Sequence, residues 1–255
     1  MSKRTKPARL RHPSITFAYI HPGVVSASFA FSFARMMAYE IGRTGRAPKV
    51  LAQRVGSGQI VRGRNDVVAN FLEDNSEWLA FCDADMGFAH DAVASLLLSA
   101  DANERPIVGG LAFALKKGGE TDWETQAEIY RHCPTIYRWV ENDDEAGFQV
   151  ITDYPRNAMV KVAASGAAFF VVHRRVLEKI QEQYGPHWFS QVTHPKRNDP
   201  FGEDFSFFVR VAGIDCPAYV NTAVKTSHDK GGIFLTEETW DAQQELARVR
   251  GEIDA

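Results

Sequence analysis

Two carboxylates separated by one residue follow directly on a short, mostly apolar run. The run Glu77–Cys82 leads into Asp83, Ala84 and Asp85. A continuous apolar run of this length is typical of a buried strand, and side chains two residues apart on an extended chain point to the same side. In an open α/β sheet, ligands bind outside the carboxyl ends of the strands. We therefore predict that Asp83 and Asp85 hold a hard divalent cation such as Mg²⁺, which in turn holds a diphosphate.

Other residues that can do chemistry lie at predicted turns, helix starts and strand ends. They are His21 and Pro22 after the first strand, Arg64 and Asn65 in a helix, Glu203 and Asp204 at a helix start, and His228 and Lys230 after a late strand. An arginine can contact a phosphate through two nitrogens at once. For Arg64 the structural alternative is an ion pair with Asp66 or Asp74 on the helix surface. For Asp83 and Asp85 the structural alternative is a helix cap or a turn, where aspartate is common.

The composition is that of one ordinary globular domain. The chain has 255 residues, of which 45% are hydrophobic and 24% charged, so it is long enough to bury a full core. A net charge of −3 gives no overall basic surface for nucleic acid or membrane. Basic residues do cluster within residues 1–13, which we interpret as a flexible, solvated tail rather than a contact for an acidic partner.

Cysteine use predicts a reducing, cytoplasmic compartment. Cys82, Cys133 and Cys216 are scattered and form no CxxC pair, so neither a zinc site nor a framework of disulfides is expected. The first residues lack the apolar core of a signal peptide. No stretch approaches the ~18 apolar residues of a spanning helix, so we expect no integral membrane segment.

The spacing of apolar residues predicts the elements that position these groups. Strands at 15–20, 50–55, 77–83 and 106–112 alternate with helices in the first half, which favours a mostly parallel sheet flanked by helices. The second half is more mixed, with strands at 159–165, 167–172 and 218–224, helices at 174–184 and from 203, a long loop at 185–202 and a C-terminal helix at 236–250. Residues 116–157 show only hairpin-like alternation.

Four segments, in order, resemble the motifs of a known family. They are Arg64–Val68, Trp78–Asp85, Gly202–Phe205 and Gly213–Asp215. With them, residues 14–230 resemble the GT-A-fold glycosyltransferases, in particular the inverting family 2 enzymes and compact phage-encoded relatives. The resemblance implies an α/β fold, a three-layer α/β/α sandwich with a mostly parallel central sheet. It also implies a single domain over 14–255, with a donor-binding half at about 14–112 and an acceptor-side half at about 113–235.

The resemblance implies roles on the donor side. Asp85 would coordinate the metal, Mn²⁺ or Mg²⁺, and Asp83 would contact the metal-bound water or the ribose. His228 matches a C-terminal metal ligand of the family, although a lone histidine is more often structural. His21 and Pro22 would present backbone groups to the nucleobase and ribose. Arg64, with its neighbour Asn65, and Lys230 would contact the donor and its phosphates.

On the acceptor side, the resemblance makes the second acid of Glu203-Asp204 the general base. We favour Asp204 over Glu203, with Asp199 as a third candidate. The structural alternative is strong, because acids near a helix N-terminus are stabilised by the helix dipole whatever the function. Trp188 in the preceding loop would stack on a sugar acceptor, unless it is a core anchor.

The implied function is a metal-dependent transfer of a sugar from a nucleotide-diphosphate sugar to an acceptor hydroxyl, with inversion. The acceptor is open between a protein, a glycan, a lipid and modified DNA, and the location would be the cytoplasm, that of the host if the gene is phage-encoded. One alternative is a sugar-nucleotide nucleotidyltransferase, although no basic glycine-rich loop follows the first strand. The other is a non-catalytic binding protein of the same fold. The sequence has neither GxxxxGK[ST] nor HExxH, which argues against P-loop enzymes and zinc hydrolases.

Overall fold

The structure is a computed structural model that describes residues 13–121, 128–143 and 145–251, without the side chains of residues 117–121 and 128–130. Apart from Pro13, the predicted basic tail lies outside the described residues, as does Trp123 of the segment with hairpin-like alternation.

Strands and helices alternate in the first half and strands dominate the middle. The strands are β1 Ile15–His21, β2 Lys49–Arg54, β3 Trp78–Asp83, β4 Met86–Phe88, β5 Ile107–Leu111, β6 Phe113–Thr121, β7 Glu128–Pro134, β8 Ile136–Glu141, β9 Ala146–Val150, β10 Met159–Val162, β11 Ala164–Ser165, β12 Phe169–His173, β13 Ala218–Asp229 and β14 Phe234–Leu235. The helices are α1 Ala27–Thr44, α2 Ile60–Leu72, α3 Ala92–Ser99, α4 Arg174–Tyr184, α5 Glu203–Gly213 and α6 Glu237–Val249.

The central sheet has the strand order β10-β13-β5-β12-β3-β1-β2. Strand β1 pairs in parallel with β2 and β3, and β5 pairs in parallel with β13. Strand β12 lies antiparallel between β3 and β5, and β10 is an antiparallel edge. Five of these seven strands therefore point the same way, and the predicted mostly parallel sheet is confirmed. Beyond its pairing with β5, β13 continues and pairs with β4 and β14.

Alternating side chains of the sheet feed two cores, one on each face. Ala18 and Phe81 belong to the core that also contains buried residues of α2, α4 and α5. Phe17 and Ala80, one residue along, belong to the core that contains buried residues of α1 and α3. This period of two follows from the pleat of the strands. Each fully buried large apolar side chain contributes about 1.5–3 kcal/mol. The two cores make the predicted three-layer α/β/α sandwich.

A glycine brings α2 close to the carboxyl ends of the strands. A Cβ added at Gly63 would lie 2.2 Å from Cγ1 of Val55 and 3.3 Å from Cγ2 of Ile20. Only a residue without a side chain allows this approach. Arg64 and Asn65, the next two residues, are thereby carried to the edge of the sheet where the predicted ligands lie.

The middle of the chain forms small antiparallel units beside the sheet. Strands β6 and β7 pair with each other, and β8 pairs with β9 and β11. The C-terminal helix α6 begins at Thr236, whose side chain forms a reciprocal capping box with Thr239. Leu235 and Trp240 flank this cap and are both buried in one core cluster. In the part of the chain described here, no helix is both long and apolar enough to cross a membrane.

Candidate active site

A cleft of about 540 Å³ opens at the carboxyl ends of β1, β3 and β13. It is lined by His21 at the end of β1 and Pro22 after it, by residues within 55–60 after β2, by Asp83–Asp85, and by Asp229–Gly231. Because the carboxyl ends of parallel strands meet at one edge, residues far apart in sequence lie together here. The structure thus brings five of the predicted donor-side residues to one cleft, namely His21, Pro22, Asp83, Asp85 and Lys230.

The turn after β1 is held by a hydrogen bond between its backbone and the side chain of His21. The Gly23 N–H donates to Nδ1 of His21 at 3.1 Å, and Gly23 adopts a φ of 122° that disfavours other residues. Val24, with 74% of its side chain exposed, forms an apolar rim of the cleft. The turn therefore lies at the mouth of the cleft beside an apolar surface.

Asp85 lies between two basic groups. Its Oδ1 is 3.1 Å from Nε2 of His228, and its Oδ2 accepts a hydrogen bond from Nζ of Lys230 at 2.9 Å. Burial opposes ionisation, but the hydrogen bonds and charges of His228 and Lys230 prevail and lower the pKa of Asp85 to about 2. The carboxylate is therefore ionised at neutral pH, as a metal ligand must be.

The orientation of His228 indicates a place for a cation. His228 lies within β13, opposite Met86 of β4, and not after the strand as predicted. Its Nδ1 is 2.8 Å from the carbonyl oxygen of Phe113, and a carbonyl only accepts, so Nδ1 carries the proton. The other ring nitrogen, Nε2, lies 3.1 Å from Oδ1 of Asp85. In the charged ring Nε2 donates toward that oxygen, and in the neutral ring it offers a lone pair to a cation bound at the same oxygen. A metal ligand histidine is commonly oriented in this way by a backbone carbonyl.

Asp85 and His228 fit a cation whose remaining coordination positions would be filled by a diphosphate. In the described ranges, no set of three or more His, Cys, Asp and Glu side chains is close enough to hold a metal alone. Mg²⁺ commonly takes one or two carboxylates and fills its remaining positions with substrate phosphates and water. Asp85 supplies one such carboxylate, and the imidazole of His228 is a ligand that a transition-metal ion such as Mn²⁺ accepts more readily than Mg²⁺ does. Asp83 instead turns Oδ1 toward Arg64. The metal set Asp83, Asp85 and His228 therefore stays a prediction, and of its three members Asp85 and His228 are in contact.

Arg64 is buried, and the prediction that it contacts the donor is wrong. Only 1% of its side chain is exposed. Nη1 donates to the carbonyl oxygen of Ala167 at 2.8 Å and Nη2 to Oδ1 of Asp83 at 3.0 Å, while Nη2 also lies 3.6 Å from Oδ1 of Asp204. The guanidinium carbon stands 5.6 Å from the ring centroid of Phe81. A buried charge needs such partners, so Arg64 holds the two carboxylates and does not face the cleft.

The pairing of Arg64 with nearby helix acids is wrong as well. Asp66 lies 3.7 Å from Arg62, and Asp74 pairs with Lys49 at 2.8 Å. The partners that Arg64 does use, Asp83 and Asp204, come from β3 and α5.

Asp204 stands at the start of α5 with an altered acidity. Burial raises its pKa to about 6, with repulsion from Glu203 and Asp83 adding to the rise and Arg64 opposing it. Its side chain is 33% exposed, so one oxygen can meet a substrate while Oδ1 is buried. Asp199, the third candidate for the base, is 61% exposed and pairs with Arg197, outside this cluster.

Two predicted ligand contacts are structural. Trp188 is 1% exposed and donates from Nε1 to the carbonyl oxygen of Leu177 at 2.8 Å, so it is a core anchor and its acceptor-binding role is wrong. The amide of Asn65 accepts from the Phe189 N–H at 2.8 Å and donates to Oγ of Ser190 at 3.2 Å. Both ends of this amide therefore fasten the 185–202 loop to α2, which corrects the donor-binding role of Asn65.

The sequence reasoning missed a cluster beside Asp204. Nζ of Lys116 stands 4.3 Å from the ring centroid of Tyr137 and 5.6 Å from that of Phe205, the residue after Asp204. Burial lowers the pKa of Lys116. Lys116 and Tyr137 lie in β6 and β8, within the segment that showed only hairpin-like alternation, so no local signal pointed to them.

Comparison with known proteins supports the fold. No protein-family model and no curated protein matches the sequence. A solved structure of A197 from STIV matches with a TM-score of 0.51 at 15% identity, covering 88% of this chain and 91% of that chain. A structure of GalNAc-T7 with UDP, GalNAc and Mn²⁺ matches with a TM-score of 0.52 at 10% identity, covering 86% of this chain and 44% of that longer chain. The chain has the GT-A-like fold, as predicted.

Proposed function

We propose that this protein is a metal-dependent glycosyltransferase that moves a sugar from a nucleotide-diphosphate sugar to an acceptor hydroxyl with inversion. One observation carries the proposal. A single nitrogen of the buried Arg64 lies beside both Asp83, which lines the cleft, and Asp204, a half-exposed carboxylate whose pKa is about 6. Asp83 on the donor side and Asp204, whose pKa suits a general base, thus lie close together through Arg64. A transfer between two substrates requires such proximity of the groups that act on them.

The donor side would hold the nucleotide and a divalent cation. The turn at His21 and Pro22 would receive the nucleobase and ribose, and Asp85 and His228 would hold Mn²⁺ or Mg²⁺. When bound, the cation neutralises charge that builds on the departing nucleoside diphosphate. The GalNAc-T7 structure, which shares the fold, contains UDP and Mn²⁺, and this supports the choice of ligands.

Asp204 would act as the base. As the acceptor oxygen attacks the anomeric carbon, its proton passes to Asp204, the new carbon–oxygen bond forms, and the bond to the diphosphate breaks on the opposite side. Attack opposite the leaving group gives inversion. A carboxyl with a pKa near 6 is a stronger base than an ordinary aspartate and is still ionised at neutral pH.

The neighbours of Asp204 suit this role. Arg64 and the N-terminus of α5 favour the charged form, whereas burial keeps that form basic. Glu203, the preceding residue, contributes repulsion that raises the pKa of Asp204. Nucleotidyl transfer has less support, because the segment from His21 to Ser26 at the cleft carries no lysine or arginine of its own. The basic group beside this turn is the guanidinium of Arg54 from β2, which lies against Gly23.

A ligand screen tests the proposal. Purified protein is heated with UDP, GDP, CDP or dTDP, each with and without Mn²⁺. One diphosphate with Mn²⁺ should raise the melting temperature clearly, because a ligand that binds only the folded state stabilises it. Asp85→Asn should lose the Mn²⁺-dependent part of the shift. If no nucleotide changes the melting temperature of the wild type, the nucleotide-sugar proposal fails.

A further inference from the structure

Lys230 occupies the carboxylate that the proposed metal needs. Its Nζ donates to Oδ2 of Asp85 at 2.9 Å, while His228 approaches the other oxygen. Asp85 is 35% exposed and Lys230 is 39% exposed, so both heads reach the cleft. The ammonium therefore stands where a cation would otherwise balance Asp85.

The backbone around Lys230 is held independently of this contact. The Lys230 N–H donates to the carbonyl oxygen of Ile233 at 2.9 Å, and Oδ1 of Asp229 accepts from the Gly232 N–H at 2.9 Å. Gly231 and Gly232 have φ values of 71° and 95°, which glycine adopts without strain. The Asp229 N–H also donates to the carbonyl oxygen of Asp85 at 2.8 Å. The turn is fixed, and rotation of the lysine side chain alone can release Asp85.

We propose that Lys230 is an exchangeable counter-ion, which neutralises Asp85 in the free protein and moves to the diphosphate of the donor when a divalent cation takes its place. This inference rests on the proposed function. A lysine ammonium and a divalent cation repel each other at one carboxylate. The incoming diphosphate supplies new anionic oxygens in the same cleft, within reach of a long, flexible side chain.

The exchange gives Lys230 two effects of opposite sign. Without nucleotide, Lys230 competes with the cation, so a neutral residue in its place should tighten binding of Mn²⁺ alone. With nucleotide, Lys230 contributes a contact to phosphate, so the same change should weaken binding of the nucleoside diphosphate with Mn²⁺. Because a partly exposed ion pair is worth little, each effect should be roughly two- to fivefold. A residue that only stabilised the fold would not shift the two affinities in opposite directions.

The test measures Mn²⁺ binding by electron paramagnetic resonance of the free ion, first alone and then with the nucleoside diphosphate that gives the largest thermal shift. Each titration is read against a protein-free blank, because the diphosphate itself binds Mn²⁺. Lys230→Met should bind Mn²⁺ alone more tightly than the wild type and the diphosphate with Mn²⁺ less tightly. Lys230→Arg should resemble the wild type. Lys179→Met, which removes an exposed lysine on α4, is the matched control and should change neither affinity.

Two results separate failure of this inference from failure of the function. If the wild type binds Mn²⁺ with the diphosphate but Lys230→Met binds Mn²⁺ alone no better, or the diphosphate no worse, then Lys230 is not an exchangeable counter-ion. If neither protein binds Mn²⁺ in the presence of any diphosphate, the proposed function falls and the exchange falls with it.

Discussion

Asp83 and Asp204, 121 positions apart in the sequence, meet at one atom. Nη2 of Arg64 lies 3.0 Å from Oδ1 of Asp83 and 3.6 Å from Oδ1 of Asp204. The arginine comes from α2, and the two acids come from the end of β3 and the start of α5. Burial disfavours the charge on Arg64, but its acidic neighbours prevail and raise its pKa. The charged group thus ties three elements together at the edge of the cleft.

Replacing Arg64 should destabilise the fold. Arg64→Met leaves two carboxylates without their buried partner, and breaking a buried pair costs about 3–5 kcal/mol. Arg64→Lys keeps the charge but not the planar guanidinium, so it should lose less stability than Arg64→Met does. The measurement is the free energy of unfolding in denaturant. Arg62→Met removes an exposed arginine from the same helix and should change stability by no more than ~0.5 kcal/mol. Equal stabilities of the two methionine variants would contradict the role of Arg64.

Replacing Asp204 should separate binding from turnover. Asp204→Asn keeps the size of the side chain but cannot accept the proton, so transfer should fall by about 10²–10⁴-fold while the nucleotide-dependent thermal shift stays. Asp199→Asn is the matched control, since Asp199 is exposed and paired with Arg197, and it should transfer at the wild-type rate. Near-normal turnover by Asp204→Asn would show that another group is the base.

The pH dependence of stability should report the raised pKa of Asp204. In the unfolded chain this carboxyl titrates near 3.8, and in the folded protein near 6. The folded state therefore holds the proton more tightly, and Asp204 makes stability fall as pH rises from about 4 to 6. Asp204→Asn lacks this loss. The difference in melting temperature between Asp204→Asn and the wild type should therefore increase from about pH 4 to 6 and stay level above about pH 6. A difference that does not change with pH would rule out the raised pKa of Asp204.

The acidic strand end could be predicted because its signal is local. Six residues suffice to indicate a buried strand, and the pleat then puts Asp83 and Asp85 on one side. The structure confirms strand β3 and places both acids at the cleft. The same local reasoning found α2, α4, α5 and α6.

The partners of the site residues could not be predicted, because they depend on tertiary contacts. An arginine near a helix start is expected to be exposed. Arg64 is buried because Gly63 lets the helix pack against Ile20 of β1 and Val55 after β2, a contact that the sequence does not show. Trp188 lies in a long loop, which suggested exposure, yet Asn65 fastens that loop onto α2 and the indole enters the core. The proton position of His228 follows from Phe113, 115 residues earlier in the chain.

Removing the proposed metal ligand should abolish cation dependence. Asp85→Asn keeps the shape of the side chain but lacks the charge, so Mn²⁺ should no longer stimulate transfer by the variant. A chelator that stops transfer by the wild type should leave the residual transfer by Asp85→Asn unchanged. Asp143→Asn, which changes an exposed acid in the β8–β9 turn, is the control and should behave as the wild type. Transfer by the wild type in excess chelator would argue against a metal in the reaction.

Replacing Trp188 should affect stability and not acceptor use. Trp188→Ala removes a fully buried indole and its hydrogen bond to Leu177, a loss of about 3–5 kcal/mol. Trp188→Phe fills more of the space and should lose less. At a temperature where Trp188→Phe is folded, its KM for acceptor should equal that of the wild type. Trp139→Ala, at a site that is 38% exposed, should show a much smaller loss of stability. If Trp188→Phe kept its stability but raised the KM for acceptor, the indole would have to leave the core to meet the substrate.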